Sequence, residues 1–268
     1  MTTEALYNLS YEEKIDLAMK EGTPAEILTV LAKNIDPHVR EAVAKNENTP
    51  ADILAMLAQE NDKYIRAAVA RNENTPADIL AMLAQEKDEY IRAAVASNPN
   101  VSNERLAIFA KDEIWWVRMG VAGNRNTSAE TLAMLANDEN YEVRHVVAGN
   151  KNAPIETLVM FSKDNDGSIR EAVASNSNTP LEILFQLAND KDTFVRWAVA
   201  RNENAPAEIL AQLAEDEEAD IRYTITTNLN TSYNTLIMLS KDADEQVSKR
   251  AEEIIKERLS KNKSHIEK

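Results

Sequence analysis

A Val-Arg or Ile-Arg pair recurs every 26 residues along this 268-residue chain: Val39-Arg40, Ile65-Arg66, Ile91-Arg92, Val117-Arg118, Val143-Arg144, Ile169-Arg170, Val195-Arg196 and Ile221-Arg222. The spacing does not slip across eight units. A strict period of roughly 20–50 residues belongs to stacked repeats, each too small to bury its apolar face alone. It moves the search for function from an enclosed pocket to a surface, and from the residues that repeat to those that vary.

One unit, Val39 to Tyr64, reads VREAVAKNENTPADILAMLAQENDKY. Val39, Ala42 and Val43 form a helical i, i+3, i+4 stripe, with Asp36 upstream as a cap for this short helix A. Asn46-Glu47-Asn48-Thr49-Pro50 is turn chemistry and ends it. Thr49 is predicted to cap the next helix, Pro50 to fill its first position and Asp52 to complete a capping box. Helix B follows, with Ile53, Leu54, Met56, Leu57 and Ala58 as its expected apolar set. It is predicted to run about ten residues, or roughly 15 Å. Neither helix is long enough to be stable alone, so packing between neighbours must hold both. The capping signal returns at Thr75-Pro76-Ala77-Asp78, Thr127-Ser128-Ala129-Glu130, Thr179-Pro180-Leu181-Glu182 and Ala205-Pro206-Ala207-Glu208. The first inner leucine of helix B returns without exception, at Leu54, Leu80, Leu106, Leu132, Leu158, Leu184, Leu210 and Leu236.

The expected fold is all-α, an α-solenoid of two-helix, 26-residue repeats forming a single domain over residues 1–268. Residues 1–38 read as an amino-terminal capping repeat, with Ser10-Tyr11-Glu12-Glu13 as a capping box and Thr23-Pro24-Ala25-Glu26 in frame. Residues 39–246 hold the eight repeats. Residues 247–268 close the array: a charged helix from about Glu245 to Leu259 covers the last repeat, as solenoid ends require, and the tail KNKSHIEK is expected to be disordered. The segment NENTPADILAMLAQE occurs at 46–60 and again at 72–86. Recent duplication and consensus engineering both produce such copies.

The run V-R-x-A-V-A-x-N-x-N-T-P-x-x-I-L-x-x-L-A-x-D resembles the leucine-rich repeat variant family, within the HEAT/armadillo-like class, over residues 13–246. The resemblance implies a right-handed α/α superhelix of short helix pairs, with one helix of each pair partly 3₁₀. The family's repeats are often shorter, and a member carries an amino-terminal cysteine-bound cluster. This chain has no cysteine, so that activity does not carry over. The family specifies no single function.

Composition narrows the partners. Without cysteine there are no disulfides, zinc-thiolate sites or iron–sulfur clusters, which suits a reducing compartment and a cytoplasmic location. No basic-then-apolar leader is seen at the amino terminus, and no apolar run approaches membrane-spanning length. A net charge of −15 argues against a phosphate backbone as partner and admits a basic protein or peptide. No cofactor or metal is expected, and none of the five glycines forms a phosphate-binding loop. The chain is expected to act as a monomer.

The residues that repeat have structural readings. The eight arginines, with Asp62, Asp88, Asp112, Asp138, Asp164, Asp166, Asp190, Asp192 and Asp216, are expected to form a ladder that caps helices and ties neighbouring repeats. Asn46, Asn72, Asn98, Asn124, Asn150, Asn176, Asn202 and Asn228 fill one slot, and an asparagine two residues later fills another. Both are read as amide ladders that satisfy loop backbone groups. Met56, Met82, Met134, Met160 and Met238 share a helix-B slot and are expected to fill gaps in the core.

The residues that vary carry the functional expectation. On helix A the residue before Val/Ile, the third residue and the seventh share one face. This strip includes Tyr64, Arg71, Tyr90, Trp116, Met119, His145, Phe194, Trp197, Arg201 and Tyr223, and it takes in all three tryptophans once Trp115 is counted. Aromatics and arginine are what interface centres enrich. Trp197 and Tyr223 are expected to be more exposed than Tyr64, Tyr90 and Trp116, and Gly123 and Gly149 to leave a shallow depression beside Trp116 and Met119.

The chain therefore reads as a non-enzymatic scaffold that binds a protein or peptide through this strip. The runner-up is an acidic solenoid that neutralises a basic protein such as a toxin; a HEAT-like enzyme or nucleic-acid-binding protein ranks below both. His38 and His145 lie four repeats apart, too far to meet at roughly 8–10 Å per helix layer, and neither HExxH nor GxSxG occurs.

Overall fold

The computed structural model of the chain describes residues 6–266, and their side chains as far as Ser260. Among the described residues the fold is helical throughout, an α-solenoid of two-helix repeats. The chain forms two compact units, residues 1–143 and 144–268.

In the first unit, nine-residue A helices alternate with seven-residue B helices: α1 (Tyr11–Met19), α2 (Ala25–Leu31), α3 (Pro37–Lys45), α4 (Ala51–Leu57), α5 (Lys63–Arg71), α6 (Ala77–Leu83), α7 (Glu89–Ser97), α8 (Asn103–Phe109), α9 (Trp115–Gly123) and α10 (Ala129–Leu135). Helix α11 (Tyr141–Gly149) spans the division between the units. The second unit continues with α12 (Ile155–Phe161), α13 (Gly167–Ser175), α14 (Leu181–Leu187), α15 (Thr193–Arg201), α16 (Ala207–Leu213), α17 (Ala219–Thr227), α18 (Tyr233–Leu239) and α19 (Glu245–Ile266). Within each unit, A helices pack against the A helices before and after them, as α3 does on α5 and α13 on α15. The core holds the predicted valines, isoleucines and leucines: Val39, Ile65, Ile91 and Val117 with Leu54, Leu80, Leu106 and Leu132 in the first unit, and Ile169, Val195 and Ile221 with Leu184, Leu210 and Leu236 in the second. Each such side chain contributes roughly 1.5–3 kcal/mol by burial.

Helix B is shorter than the ten residues expected. After Leu57, the N–H groups of Gln59 and Glu60 reach only three residues back, to the carbonyls of Met56 and Leu57. This tight 3₁₀ ending satisfies the last donors and stops the helix. The seven-residue helix α4 buries Ile53, Leu54 and Leu57, a narrow face about one turn long. The methionines fall outside that stripe. Met56, Met82, Met134, Met160 and Met238 are exposed, not core fillers, which corrects the sequence expectation.

The interhelical threonine also has another role than predicted. Thr49 is buried, and its hydroxyl donates to the carbonyl of Val43 at 2.6 Å; Thr75–Val69 and Thr179–Val173 repeat this bond. It locks the end of helix A and does not cap helix B. The N-cap slot of α4 holds Pro50 itself, whose ring fixes φ at −61° without a side-chain bond. Where the slot holds serine, as at Ser102 and Ser232, the hydroxyl accepts the expected N–H, from Arg105 and Thr235.

Two ladders join the repeats. Asn72 donates from Nδ2 to the carbonyls of Ala44 and Asn46, each at 2.8 Å, while its Oδ1 accepts the Asn74 N–H. The same three bonds are made by Asn98 in the first unit and by Asn202 in the second. The arginine ladder is equally regular. Arg118 forks onto Asp138 at 2.6 and 2.9 Å, and its third nitrogen takes the carbonyls of Asp112 and Glu113. Arg66–Glu86 and Arg92–Asp112 do likewise in the first unit, where Arg40 reaches Glu60 through a single hydrogen bond of 3.2 Å, and Arg170–Asp190, Arg196–Asp216 and Arg222–Asp242 do so in the second. The acids divide by role. The residue twenty positions on from each of these seven arginines ties the repeat, including Glu60 and Glu86, which the sequence reading overlooked. Asp36, Asp62, Asp88, Asp166 and Asp192 cap A helices.

The ends close these ladders. Ser10 and Glu13 form the predicted capping box on α1. At the other end α19 packs on α17 and α18, and Arg258 donates to the carbonyls of Thr231, Asn228 and Leu229, groups with no further repeat to meet. The helix runs to Ile266, past the expected stop at Leu259 and through most of the tail expected to be disordered; Glu267 and Lys268 lie outside the described residues. No described helix is long and apolar enough to cross a membrane.

Candidate functional site

The residue before each Val/Ile sits at the second position of helix A, and where the N-cap is aspartate, as before Tyr64, Tyr90 and Phe194 but not before Trp116, its carboxylate fixes that residue's backbone. Asp62 accepts the Tyr64 N–H at 2.8 Å, Asp88 that of Tyr90 at 3.0 Å and Asp192 that of Phe194 at 2.9 Å. The cap thus holds a variable side chain at the exposed start of the helix. Tyr64 is 64% exposed, Tyr90 53% and Phe194 68%, whereas Tyr223 is 39% exposed and Trp197 half-buried. That order reverses the expectation against Tyr64 and Tyr90, whereas Tyr223 is more exposed than the half-buried Trp116, as expected. The third slot of helix A lies beside the start of the next A helix, as His145 shows: its Nδ1 sits 3.1 Å from the Ser168 carbonyl. Neighbouring helices therefore cover part of any residue there.

In the first unit the aromatics touch one another. Tyr90 stacks on Trp116 at 6.3 Å between ring centroids, and Trp115 meets Trp116 edge-on at 5.7 Å. Lys63 lies 5.6 Å from the Tyr64 ring and 5.5 Å from that of Tyr90, and pairs with Asp88 at 3.2 Å. The hydrogen bond to Asp88 and its charge raise the Lys63 pKa. Burial pushes the Asp88 carboxyl up, but the Lys63 bond and the Ile91 and Tyr90 N–H groups outweigh it and hold the pKa below its ordinary value. Trp116 is half-buried, and its indole N–H is enclosed without an acceptor. Met119 is half-buried beside it in α9, and Arg71 is exposed at the end of α5.

In the second unit, Phe194 and Trp197 from α15 and Tyr223 from α17 line an open pocket of about 400 Å³, with Glu218 and Asp220 also on its wall. The Arg201 guanidinium lies 4.5 Å from the centre of the Trp197 ring. The depression expected at Gly149 is present as a groove of about 350 Å³, bordered by Ser175, Ala198 and Arg201 and not by the Trp116 and Met119 named in the expectation.

The sequence reading missed a second exposed row, on helix B. In the first unit Met56, Met82, Ile108 and Met134 are exposed, and each follows an exposed acid by four residues, Asp52, Asp78, Glu104 and Glu130. Four residues is one helical turn, so acid and apolar side chain share a face. The signal was available in the second unit, where Gln186 and Gln212 fill the methionine slot, which a core would not tolerate.

Residues 168–192 and 193–218 each match the family model described as leucine rich repeat variant. Among solved structures, a leucine-rich repeat variant with a novel repetitive structural motif aligns over 92% of this chain and 97% of its own, at 23% identity and a TM-score of 0.55. An engineered protein aligns over 94% of this chain and 97% of its own at 16% identity, with a TM-score of 0.41. A designed armadillo repeat protein aligns over 92% and 99% at 13% identity, with a TM-score of 0.24. No curated protein matches the sequence. The Arg and Asn ladders recur at one spacing on both sides of the matched segments, and the chain is an α-solenoid in which residues 168–218 match leucine-rich repeat variant units.

Proposed function

We propose that the protein is a non-enzymatic scaffold that binds a peptide or protein through the aromatic side chains at the starts of its A helices. The observation that carries this reading is the exposure of Tyr64, Tyr90 and Phe194 at positions whose backbone a capping aspartate holds rigid. Large aromatic rings in water cost free energy that an interface recovers, and a fixed backbone lowers the entropy lost on binding. Arg71, Trp116 and Met119 extend the surface in the first unit; His145, Trp197, Arg201 and Tyr223 extend it in the second. The repeating polar groups are occupied in the ladders, so they hold the scaffold together.

The test is selection from a random-peptide phage library on the wild-type protein, followed by binding to Tyr64→Ser/Tyr90→Ser and to Phe194→Ser. These exposed sites tolerate substitution with little change in stability. Selected peptides should lose at least tenfold in affinity to one of the variants. Equal binding to all three proteins would refute the reading.

The exposed acid-and-methionine row on helix B of the first unit favours a second reading, in which a basic amphipathic segment docks there. Adaptable methionines beside carboxylates suit such a partner. Binding of that kind should weaken steeply with salt, whereas aromatic-anchored binding should not.

A further inference from the structure

The pocket between α15 and α17 has a specific chemistry. Its walls combine three aromatic rings, Phe194, Trp197 and Tyr223, with two carboxylates, Glu218 and Asp220. Glu218 stands where five other repeats place the aspartate that caps helix A, yet its side chain makes no capping bond. One methylene longer than aspartate, it is a poorer N-cap, and its carboxylate is left on the pocket wall. Neither Glu218 nor Asp220 has an ion-pair partner among the described residues. Trp197 already carries one guanidinium, that of Arg201, on its ring. The pocket wall carries two carboxylates and no cation among the described residues; Arg201 lies over the Trp197 ring, and Arg196, whose charge also reaches Glu218, is already forked onto Asp216, so the pocket stays net negative.

We propose that this pocket takes the guanidinium of an arginine presented by the bound peptide, an assignment that rests on reading the aromatic surface as a peptide-binding site. Aromatic faces attract a cation through the ring quadrupole, and arginine is the cation most often found there. Its planar, weakly hydrated head can stack on a ring while its N–H groups reach a carboxylate, a combination that the compact lysine ammonium does not match.

Three pentapeptides test this, each blocked at both ends, with arginine, citrulline or lysine between flanking alanines. Citrulline keeps the planar shape of arginine and removes the charge. The readout is the indole N–H cross-peak of Trp197 in two-dimensional NMR, assigned by its loss in Trp197→Phe. The arginine peptide should shift that peak saturably. Citrulline should bind at least tenfold more weakly, and lysine several-fold more weakly. Glu218→Gln with Asp220→Asn should cost the arginine peptide at least tenfold, with circular dichroism and melting unchanged. The proposal fails if citrulline equals arginine, if lysine equals or exceeds it, or if no peptide moves the peak. Phage selection separates this failure from that of the broader reading. Peptides that depend on Phe194 but carry no arginine would overturn the pocket assignment alone. A saturable arginine shift with no aromatic-dependent peptide would overturn the broader reading and leave the pocket.

Discussion

The amide ladder can be tested at Asn98, whose side chain is 1% exposed in the first unit. It donates to the carbonyls of Ala70 at 2.8 Å and Asn72 at 2.9 Å, and accepts the Asn100 N–H at 2.8 Å. Asn98→Ala removes all three. The Asn72 carbonyl keeps its bond from the Thr75 N–H, but the Asn100 N–H loses its partner. At about 1 kcal/mol net per bond the loss is about 3 kcal/mol. Asn100→Ala is the control: Asn100 is exposed, and its amide donates a single bond to the Glu73 carbonyl, so it should cost less than about 1 kcal/mol. Because Asn98 bonds across repeats, its removal weakens the coupling between neighbours, and unfolding should broaden or split. Urea unfolding followed by circular dichroism gives the energies, and hydrogen exchange at residues 70–74 and 98–102 places the opening. Asn98→Asp should be worse than alanine at neutral pH, because it turns a carboxylate toward two carbonyls. Its raised folded-state pKa means that the deficit shrinks as pH falls. If Asn98→Ala and Asn100→Ala agree within about 0.5 kcal/mol, buried amide bonding does not hold the stack.

Met56→Gln should change stability by less than about 1 kcal/mol, whereas Leu57→Ala should cost about 2–5 kcal/mol; chemical denaturation of the two variants compares an exposed with a core position on one helix. Burial pushes the carboxyls of Asp112, Asp190 and Asp216 up, but their arginine partners and a backbone N–H outweigh it, and the pKa of each lies below its ordinary value. Folding therefore depresses these pKa values. The stability they contribute is present above the unfolded value of about 4 and lost as pH falls below it, so melting temperature should hold from neutral pH to about 5 and then drop. Gly149→Ala should stabilise by about 0.5–1 kcal/mol in thermal melts, because a Cβ there meets open space, while Gly167→Ala should destabilise because its Cβ would strike the Asp192 carboxylate that caps α15. Trp116→Phe should be neutral or stabilising in the same assay, because it removes an enclosed indole N–H that has no acceptor.

Much of the fold was legible because each repeat restates the same local rules. Val39, Leu54 and their counterparts mark the core by helical spacing, and the Asn-x-Asn turn marks the corner between helices. The arginine and asparagine ladders were foreseen as structural because every repeat carries them. The site was harder to read. Exposure of an aromatic depends on which neighbouring helix end lies beside it, and that is a relation between residues 26 apart in sequence. Tyr64 and Phe194 escape cover at the start of their helices, while Trp197 is partly covered one turn further on. Met56 looked like core because its spacing from Ile53 and Leu57 fits a helix stripe. Which of the apolar positions faces the core depends on how the helix is set against its neighbours, and in the structure Ile53, Leu54 and Leu57 take the buried face while Met56 lies outside it.

The sequence by itself determined the repeat, its two helices, its buried leucines and valines and the absence of cysteine chemistry, since these follow from local periodicity and composition. Tertiary structure decided which acid each arginine meets, that Thr49 closes one helix instead of opening the next, and that Glu218 is released from capping to a pocket wall beside Trp197. The physical reason is the range of the forces involved. Backbone propensity and apolar spacing act within a few residues, whereas a hydrogen bond, an ion pair or a pocket exists only once the chain has brought distant residues within a few ångströms.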